Sequence, residues 1–369
     1  MVLLCVLFLF AGITAKAEEA MLQVSAYAAV LYDPITETVL FEKNSRETLP
    51  MASTTKIMTA LLAFESEQVD LPVTVTEEMT AVEGSSMGLK PGDVLTLRDL
   101  ARGMMMASGN DGANAAALFL GKTAEGFAEM MNARAEKIGM KQTRFVTPSG
   151  LDAEGHGSTA YDMALLAAEA MRCPAFSETV GQFSLLVNFI EPEKCIRYDN
   201  HNRLLHMYEG CSGIKTGFTK KAGRCLVSSA VRNGVELICV TLNAPDDWND
   251  HITLYDYGFS CFSALKAEPF TGVVPAAGGM HERVPCVSDA WPVMQLPNGA
   301  AAEVKIFLPK FVYAPIAAGE TLGTAMLTVN GKCVASVPIR AQKEIRYKRK
   351  ETKSVRHRLK SRFERWFLN

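Results

Sequence analysis

Segments rich in β-forming residues stand near the start of the chain and return after its midpoint, with helical spacing of apolar residues between them. Near the start, residues 26–32 and 38–41 flank Asp33-Pro34, which predicts a β-hairpin. The later segments predict strands at residues 213–217, 225–231 and 237–242. Asn233-Gly234 predicts a tight turn between the last two of these strands.

Between these strands, several stretches carry apolar residues at the spacing of an α-helix. They cover residues 53–65, 97–106, 113–120, 124–137 and 159–172. Ser53 is placed at or near the start of the first helix, where backbone N–H groups and the helix dipole favour developing negative charge. Thr159, three residues before Asp162, is expected to cap the last helix. The sequence therefore predicts an α/β (α+β) domain in which an antiparallel sheet, assembled from both ends of the domain, carries a helical insert.

After about residue 265 the chain changes to short β-rich segments separated by Gly, Pro and Asn. These segments predict strands at residues 273–274, 304–307, 326–329 and 334–339. Asn330-Gly331 again predicts a hairpin turn. Because 369 residues exceed one average domain, we expect a main domain at 18–264, a small all-β domain at 265–342 and a tail at 343–369.

The tail concentrates positive charge that the rest of the chain lacks. Residues 343–369 hold 11 Lys or Arg and 3 Asp or Glu, whereas the other 342 residues hold 27 and 37. Apolar side chains recur there every four residues, at Val355, Leu359, Phe363 and Phe367. This pattern predicts a C-terminal amphipathic helix in the plane of an anionic membrane surface. The alternatives are a solvated tail or a nucleic-acid arm, and export of the protein would argue against nucleic acid.

The first 17 residues are typical of a cleavable targeting segment. Residues 2–13 form an apolar run too short for a comfortable transmembrane span, and Ala15-Lys16-Ala17 is an A-x-A cleavage site. Cleavage there would start the mature chain near Glu18. We therefore expect an exported protein, associated with the outer face of the cytoplasmic membrane. The alternative is that the N-terminal run forms a buried strand.

The cysteine and histidine patterns indicate neither a metal site nor a cofactor. Removal of Cys5 with the targeting segment leaves eight cysteines, an even number that permits disulfides, although buried free thiols are the expected state. No two cysteines have C-x-x-C spacing. The sequence has no H-E-x-x-H pair, and its scattered histidines offer no obvious partner for a Ser-His-Asp triad.

Three short motifs, in one order along the chain, carry the candidate chemistry. They are Ser53-Thr54-Thr55-Lys56, Ser108-Gly109-Asn110 and Lys215-Thr216-Gly217. Each alone has an ordinary structural interpretation: a helix cap with a surface lysine, a turn, and the end of a strand. Together they supply a serine, a lysine on the same helical face and further polar groups suited to attack on a carbonyl carbon without histidine or metal.

The chemistry of these residue types suggests a role for each. A serine hydroxyl is a poor nucleophile until a base removes its proton. Lys56 can accept that proton only when neutral, and burial together with the positive charge of Lys215 is expected to lower its pKa. Ser108 is expected to relay the proton to the leaving amine. Asn110 can hold a substrate backbone amide, and Lys215 with Thr216 suits a terminal carboxylate.

Backbone groups complete the expected site. Gly217 lets a substrate strand approach the sheet edge closely, because it has no side chain. The backbone N–H groups of Ser53 and Phe218 are the expected oxyanion donors, and the loss of such a donor typically costs about 3 kcal/mol.

The motif order S-x-x-K, S-x-N and K-T-G is that of penicillin-binding proteins and serine β-lactamases. Over roughly residues 25–260 the chain resembles the low-molecular-mass penicillin-binding proteins, the D-alanyl-D-alanine carboxypeptidases of peptidase family S11. The resemblance is carried by residues 50–60, 84–89, 108–111, 147–152, 202–205 and 213–219. A β-rich second domain and a basic C-terminus are also similar to that family.

The resemblance implies a transpeptidase-like fold and cleavage of the terminal D-Ala from a peptidoglycan stem pentapeptide through an acyl-enzyme on Ser53. It also implies covalent inhibition by β-lactams. Phe218 departs from those family members that have histidine at this position, so pH dependence and substrate preference are expected to differ from theirs.

Three other functions stay open at this point. A serine β-lactamase would need a dedicated deacylation group, and no clear E-x-x-L-N segment is present. A D,D-endopeptidase acting on cross-links would use the same residues. A non-catalytic peptidoglycan-binding or sporulation-linked scaffold would have no need of an activated serine, so the intact Ser53, Lys56 and Lys215 favour an enzyme.

Overall fold

A computed structural model describes residues 22–348 and the backbone of strand β1, Val6–Leu9. The described residues form two compact units, one spanning residues 22–263 and the other combining residues 264–348 with β1. The rest of the expected targeting segment and the expected C-terminal helix lie outside the described residues.

The first unit contains strands and helices that alternate irregularly along the chain. Its strands are β2 Ala28–Asp33, β3 Thr38–Lys43, β4 Pro72–Thr74, β5 Val94–Thr96, β6 Ser184–Phe189, β7 Lys194–Asp199, β8 Cys211–Thr219, β9 Gly223–Arg232 and β10 Val235–Leu242. Its helices are α1 Lys56–Glu65, α2 Glu77–Thr80, α3 Leu97–Ala107, α4 Asn110–Gly121, α5 Ala124–Ile138, α6 Ala160–Met171, α7 Pro174–Val180, α8 Leu204–Met207 and α9 Asp247–Ser260, and a 3₁₀ helix at Ala52–Thr55 precedes α1.

The central sheet of this unit has the strand order β3-β2-β10-β9-β8, with every neighbouring pair antiparallel. The chain thus joins its N-terminal hairpin to three later strands, which confirms the predicted sheet with a helical insert. The turn between β9 and β10 lies at Asn233 and Gly234, whose φ angles of 51° and 78° are both positive. This geometry is that of a type I′ turn, which the Asn-Gly sequence favours.

Both faces of the central sheet are buried. All six residues of β2 are buried, and the first five alternate between two clusters of apolar side chains. Val30 packs in the larger cluster with the helical insert, whereas Leu31 packs on the opposite side with residues of α9 such as Leu254. Because a doubly covered strand is apolar throughout, β2 lacks the polar alternation of a half-exposed strand.

Several elements of this unit differ from the sequence-based expectation, including the short elements α2, α7, α8, β4 and β5. Helix α9 and the hairpin formed by β6 and β7 were not predicted. The helix carries buried polar residues such as Asp250 and His251, which obscure its apolar face. The first turn of the predicted helix at 53–65 is a separate 3₁₀ helix, so the α-helix begins only at Lys56.

The second unit is built from strands alone in its described part, as predicted. Its strands are β12 Thr271–Ala277, β13 Arg283–Ser288, β14 Met294–Pro297, β15 Ala302–Phe307, β16 Val312–Tyr313, β17 Thr321–Val329 and β18 Lys332–Ala341, together with the end of β11 Phe262–Leu265, which begins two residues before the unit. The main sheet has the order β1-β15-β17-β18-β13-β12-β16. The turn between β17 and β18 lies at Asn330 and Gly331, as predicted, with φ angles of 51° and 82°.

The N-terminal strand β1 pairs antiparallel with β15, with Val6 opposite Lys305 and Leu9 opposite Ala302. It occupies one end of the strand order. Among the residues that the structure describes, no helix combines the length and the apolar character needed to cross a membrane.

Candidate active site

Lys56 is the buried centre of the candidate site. Its Nζ lies 2.9 Å from Ser53 Oγ, 2.7 Å from Asn110 Oδ1 and 2.8 Å from the carbonyl oxygen of Ser149. An amide oxygen and a carbonyl oxygen can only accept, so both require an N–H from the amine. The neutral amine has two N–H groups and one lone pair. With both N–H groups engaged, the lone pair is left for the hydroxyl proton of Ser53.

The surroundings of Lys56 favour that neutral form. Its side chain is fully buried, and burial lowers the pKa of Lys56 well below its usual range. The positive charge of Lys215 lowers this pKa further, whereas the carboxylate of Asp111 opposes the shift. Desolvation disfavours an ammonium group because water no longer stabilises its charge. The sequence-based expectation about the lysine pKa and both of its causes is thus met.

Lys215 and Thr216 lie on β8, which is an edge strand of the central sheet. Lys215 is buried, and its Nζ donates to the carbonyl oxygen of Thr216 over 2.9 Å. Burial lowers the pKa of Lys215 to about 7. The charge of Lys215 is therefore sensitive to pH near neutrality, which matters for any role in binding an anion.

Ser108 occupies a strained position between two helices. It ends α3 with φ 55° and ψ 32°, the left-handed region that a non-glycine residue rarely adopts. Gly109 then caps α4, which begins at Asn110. The predicted loop over Ser108-Gly109-Asn110 is thus shorter than expected, and Asn110 belongs to a helix. This tight junction places buried Ser108 on the wall of the cleft.

Asn110 bridges the lysine to a neighbouring loop. Its Oδ1 accepts from Lys56 Nζ, and its Nδ2 donates to the carbonyl oxygen of Glu83 over 2.6 Å. A Cβ on Gly84 would lie 2.7 Å from this Nδ2, so the loop approaches closely because residue 84 is glycine. The side chain of Asn110 thus has a positioning role within the protein. Its expected contact with a substrate amide stays a prediction.

Asp111 is a positioning residue that was not among the predicted site residues. It is buried, and its carboxylate accepts from the backbone N–H groups of Met87, Gly88 and Leu89 and from the hydroxyl of Ser86. Hydrogen bonds to a carboxylate are among the stronger ones in proteins. They fix the loop at residues 83–89 against the start of α4, where it contacts Asn110.

A buried histidine supports the other side of the lysine. His156 Nδ1 accepts from the backbone N–H of Val146, so Nε2 carries the proton and donates to Thr55 Oγ1 over 3.0 Å. Burial lowers the pKa of His156 to about 4, which keeps the ring neutral. Gly150 has a φ of 86°, and a Cβ there would lie 1.8 Å from the carbonyl oxygen of Ala52. These contacts hold the loop that supplies the Ser149 carbonyl to Lys56.

Gly217 brings strand β8 against the 3₁₀ helix that carries Ser53. A Cβ on Gly217 would lie 3.0 Å from the backbone nitrogen of Ser53 and 3.1 Å from the carbonyl oxygen of Met51. The glycine therefore favours this close approach of two backbone segments, because a Cβ would require them to move apart slightly. The expected oxyanion donors, the N–H groups of Ser53 and Phe218, lie on these two segments. Their role stays a prediction.

A cleft of about 300 Å³ opens over these residues. Five of its lining residues, Ser53, Ser108, Thr216, Gly217 and Phe218, come from the predicted set. The other five were not predicted to line it: Ser85, His201, Arg224, Asp247 and Trp248. Two of these five residues had a signal in the sequence. Ser85 lies within residues 84–89, and His201 directly precedes residues 202–205; both ranges carried part of the family resemblance.

Arg224 provides a guanidinium group in the lining of the cleft. It lies opposite Phe218 in the pairing of β9 with β8. Its Nε and Nη2 donate to Asp247 Oδ1 over 3.0 and 2.7 Å, and the guanidinium lies 5.5 Å from the ring of Trp248. The Asp247 side chain is only 3% exposed, whereas that of Arg224 is 42% exposed. A buried carboxylate thus orients a guanidinium that remains accessible from the cleft.

The described residues also form a second cleft, and they contain no cluster of metal-ligating side chains. A larger cleft of about 770 Å³ elsewhere in the first unit, lined by residues such as Arg98 and Arg197, includes none of the motif residues. Within the residues described, no group of three or more His, Cys, Asp or Glu side chains is placed to hold a metal ion.

A serine paired with a buried lysine, beside a glycine-containing strand edge, defines the class of serine acyl-transfer enzymes that use lysine as the base. The comparisons with known proteins specify the family. Residues 14–246 match the family model of peptidase S11, described as D-alanyl-D-alanine carboxypeptidase. The chain belongs to this family, as its motifs suggested.

Curated relatives extend the match over most of the chain. The chain is 32% identical to the D-alanyl-D-alanine carboxypeptidase DacF of Bacillus subtilis, covering 87% of this chain and 86% of that protein. It is 33% identical to DacC of Escherichia coli, covering 90% and 88% of the two chains. These relatives confirm the enzyme class expected from the sequence.

Solved structures agree with the fold. The D-alanyl-D-alanine carboxypeptidase DacD of Francisella tularensis has a TM-score of 0.62 and 25% identity, covering 92% of this chain and 99% of that one. The Streptomyces K15 DD-transpeptidase has a TM-score of 0.62 and 28% identity, covering 64% of this chain and 98% of that one. The expected transpeptidase-like fold is thus confirmed.

Proposed function

We propose that this chain removes the terminal D-alanine from peptidoglycan stem pentapeptides through an acyl-enzyme on Ser53. The observation that carries the proposal is the position of the Lys56 Nζ, which lies 2.9 Å from Ser53 Oγ and also contacts Asn110 Oδ1 and the carbonyl oxygen of Ser149. The proposal also rests on membership of the S11 family.

In the acylation step, the Ser53 hydroxyl gives its proton to neutral Lys56 as Oγ attacks the carbonyl carbon of the penultimate D-alanine. The carbonyl oxygen becomes an oxyanion, which the N–H groups of Ser53 and Phe218 stabilise. Collapse of this intermediate breaks the peptide bond and leaves an ester on Ser53. Protonated Lys56 returns the proton, through the Ser108 hydroxyl, to the nitrogen of the departing D-alanine.

Deacylation repeats the sequence with water as the nucleophile. Lys56 is neutral again once D-alanine has left, so it can accept a proton from a water molecule that attacks the ester carbonyl. The second tetrahedral intermediate releases the shortened peptide as a carboxylic acid. Ser53 regains its proton from Lys56, and the enzyme returns to its starting state.

The substrate carboxylate needs positively charged or hydrogen-bonding partners. We assign its binding to Lys215 and Thr216, together with Arg224. A guanidinium matches the geometry of a carboxylate, and Asp247 and Trp248 hold that of Arg224 beside the cleft. A requirement for a free terminal carboxylate would distinguish a carboxypeptidase from an endopeptidase, whose substrate continues beyond the cleaved bond.

β-Lactam antibiotics fit the same assignments. Their strained amide carbonyl would take the place of the scissile carbonyl, and their carboxylate that of the terminal D-alanine. Attack by Ser53 opens the ring, and the leaving nitrogen remains attached to the adduct. The tethered group then stays beside the ester, and the adduct persists unless a dedicated group activates water for deacylation; the sequence has no clear E-x-x-L-N segment to supply one.

The functional test is the release of D-alanine from a soluble stem pentapeptide. We expect the wild-type protein to release one D-alanine per peptide and the Ser53→Ala variant to release none. Ser260→Ala, which removes an exposed serine outside the cleft, is the matched control and should retain full activity. Release by Ser53→Ala at the wild-type rate would overturn the proposal.

We further propose that the protein is exported and binds the outer face of the cytoplasmic membrane. Support comes from the A-x-A site at residues 15–17 and from the basic, amphipathic sequence of residues 343–369. Cleavage after Ala17 would remove β1 and leave β15 as an edge strand of its sheet. The N-terminal mass of the exported protein, with cell fractionation, tests this location.

A further inference from the structure

The second unit carries a cluster of exposed apolar side chains at one corner of its sheet. Met280, Phe311, Tyr313 and Tyr347 are 64%, 48%, 73% and 61% exposed, respectively. We call these four residues the aromatic corner. Single exposed apolar residues are ordinary on a protein surface, but several together mark an interaction site.

Backbone pairing brings the four residues to the same corner. Strand β16 runs parallel to the end of β12, with Tyr313 opposite Ala277, and the rings of Phe311 and Tyr313 lie 5.2 Å apart. The loop after β12 then pairs with the segment that contains Tyr347. The backbone N–H of Met280 donates to the carbonyl oxygen of Arg346 over 2.8 Å.

The ring of Tyr347 lies directly beside this loop. A Cβ on Gly278 would lie 3.4 Å from its Cε2 atom, an ordinary van der Waals distance. Gly279 forms an isolated β-bridge with Tyr347. The aromatic corner therefore rests on a paired backbone frame, which limits its movement relative to the rest of the unit.

Basic residues accompany the corner, and the chain continues from it into the basic tail. Lys310, Arg346 and Lys348 are exposed, and Glu344 forms an ion pair with Arg346 over 3.2 Å. The backbone N–H of Lys348 donates to the carbonyl oxygen of Gly278. Residues 349–369, which follow directly, contain eight Lys or Arg and two Asp or Glu.

We propose that the aromatic corner is a membrane-contact surface that inserts into the headgroup region of an anionic bilayer beside the tail. Tyrosine suits this depth because its ring is apolar and its hydroxyl remains hydrated. The basic residues around the corner complement anionic lipid. The tail begins at the aromatic corner and carries the sequence pattern of a membrane-surface helix. We therefore expect the corner to contact lipid. The inference rests on the membrane location proposed above.

The corner and the tail form two linked contacts with the same surface. Once either one binds, the other is held close to the bilayer at a high effective concentration. Stable peripheral binding commonly needs two such signals, because one weak anchor dissociates readily. The corner should therefore strengthen binding by the tail.

Vesicle sedimentation of the purified protein with its complete C-terminal tail tests this inference. The triple variant Met280→Ser, Phe311→Ser, Tyr313→Ser is compared with the control Val273→Ser, Val293→Ser, whose two valines are exposed outside the corner. Vesicles contain phosphatidylcholine with phosphatidylglycerol. We expect the partition coefficient of the triple variant to fall about tenfold or more and that of the control to change less than about twofold.

The outcomes separate this inference from the proposals it rests on. D-Alanine release from a soluble pentapeptide should be unchanged in both variants, which leaves the catalytic proposal untouched. Thermal unfolding curves and circular dichroism spectra like those of the wild type verify that the second unit of each variant is folded. Equal vesicle binding by the triple variant and the wild type would show that the aromatic corner does not contact lipid. A protein partner would then be the candidate occupant of the corner. Absence of binding by active wild-type protein would overturn the membrane location and the corner together.

Discussion

Asn110 Oδ1 lies 2.7 Å from Lys56 Nζ, and the residues that meet there belong to different helices, α4 and α1. This bond, with the one from Lys56 to the Ser149 carbonyl, determines which way the lysine nitrogen presents its lone pair. Burial lowers the pKa of Lys56, which favours the neutral form that the proposed base needs, and two acceptors orient its nitrogen.

Replacement of Lys56 by arginine should abolish acylation. A guanidinium stays protonated at all relevant pH values, so it cannot accept the Ser53 proton. We expect the second-order rate constant for acylation by benzylpenicillin to fall by about a thousandfold or more, in the range typical of losing a general base. The rate is measured by stopped-flow or timed mass spectrometry. Acylation of Lys56→Arg within about tenfold of the wild type would contradict the role of Lys56.

The pH profile of acylation should be bell-shaped. Lys56 must be neutral, so the rate falls on the acid side as Lys56 becomes protonated. The pKa of Lys215 is lowered to about 7, so its positive charge is present below that pH and is lost above it. Weaker carboxylate binding then lowers kcat/KM on the alkaline side.

Lys215→Arg tests the origin of the alkaline limb, because arginine keeps its charge throughout this range. If the variant remains active, its alkaline limb should move upward by more than one pH unit, about a tenfold change in proton concentration. The measurement is kcat/KM for a stem pentapeptide between acid and alkaline pH. If the alkaline limb of the kcat/KM profile stays near neutral pH in the variant, the titration of another group causes it.

Asp111→Asn should damage the site and the stability of the first unit together. An asparagine oxygen can still accept, but its NH₂ group faces backbone N–H donors that then lose their acceptor. We expect a loss of about 2–3 kcal/mol in the free energy of unfolding and a clear fall in kcat/KM. Asp70→Asn, which breaks an exposed ion pair with Arg98, should cost less than about 1 kcal/mol. Equal melting temperatures for the two variants would contradict the role of Asp111.

Arg224→Gln should weaken recognition of the substrate carboxylate. We expect KM for the pentapeptide to rise about tenfold or more, equivalent to about 1.4 kcal/mol, with a smaller change in kcat. A pentapeptide with an amidated C-terminus provides the control, because it has no carboxylate for Arg224 to contact. The variant and the wild type should cleave the amide equally slowly. A similar loss on both substrates would show that Arg224 acts only through folding.

Local sequence signals predicted much of the fold. The turns at Asn233-Gly234 and Asn330-Gly331 follow from residue types that tolerate positive φ, and helix α6 begins at the predicted cap, where Thr159 Oγ1 accepts from the backbone N–H of Asp162. Helix α9 was missed because polar residues such as His251 lie inside it, satisfied by Ser228 and Thr241 of the sheet below. Those partners come from other elements and are invisible in a local pattern.

The candidate site divides in the same way. Its motif residues were predicted, because the chemistry of serine, lysine and amide groups can be read from short sequences. The supporting contacts were not, because they join distant positions: Lys56 meets Ser149 across 93 residues, and Thr55 meets His156 across 101. Arg224 lacked any motif of its own. Only the pairing of β8 with β9 places it beside the cleft.

The most direct test is intact-mass spectrometry of the purified protein with and without benzylpenicillin, followed by peptide mapping. The account predicts one penicilloyl group per chain, attached to Ser53 and stable for minutes, and no adduct on Ser53→Ala. A folded wild-type protein that forms no adduct, or an adduct on another residue, would contradict the central claim that Lys56 activates Ser53 for acyl transfer.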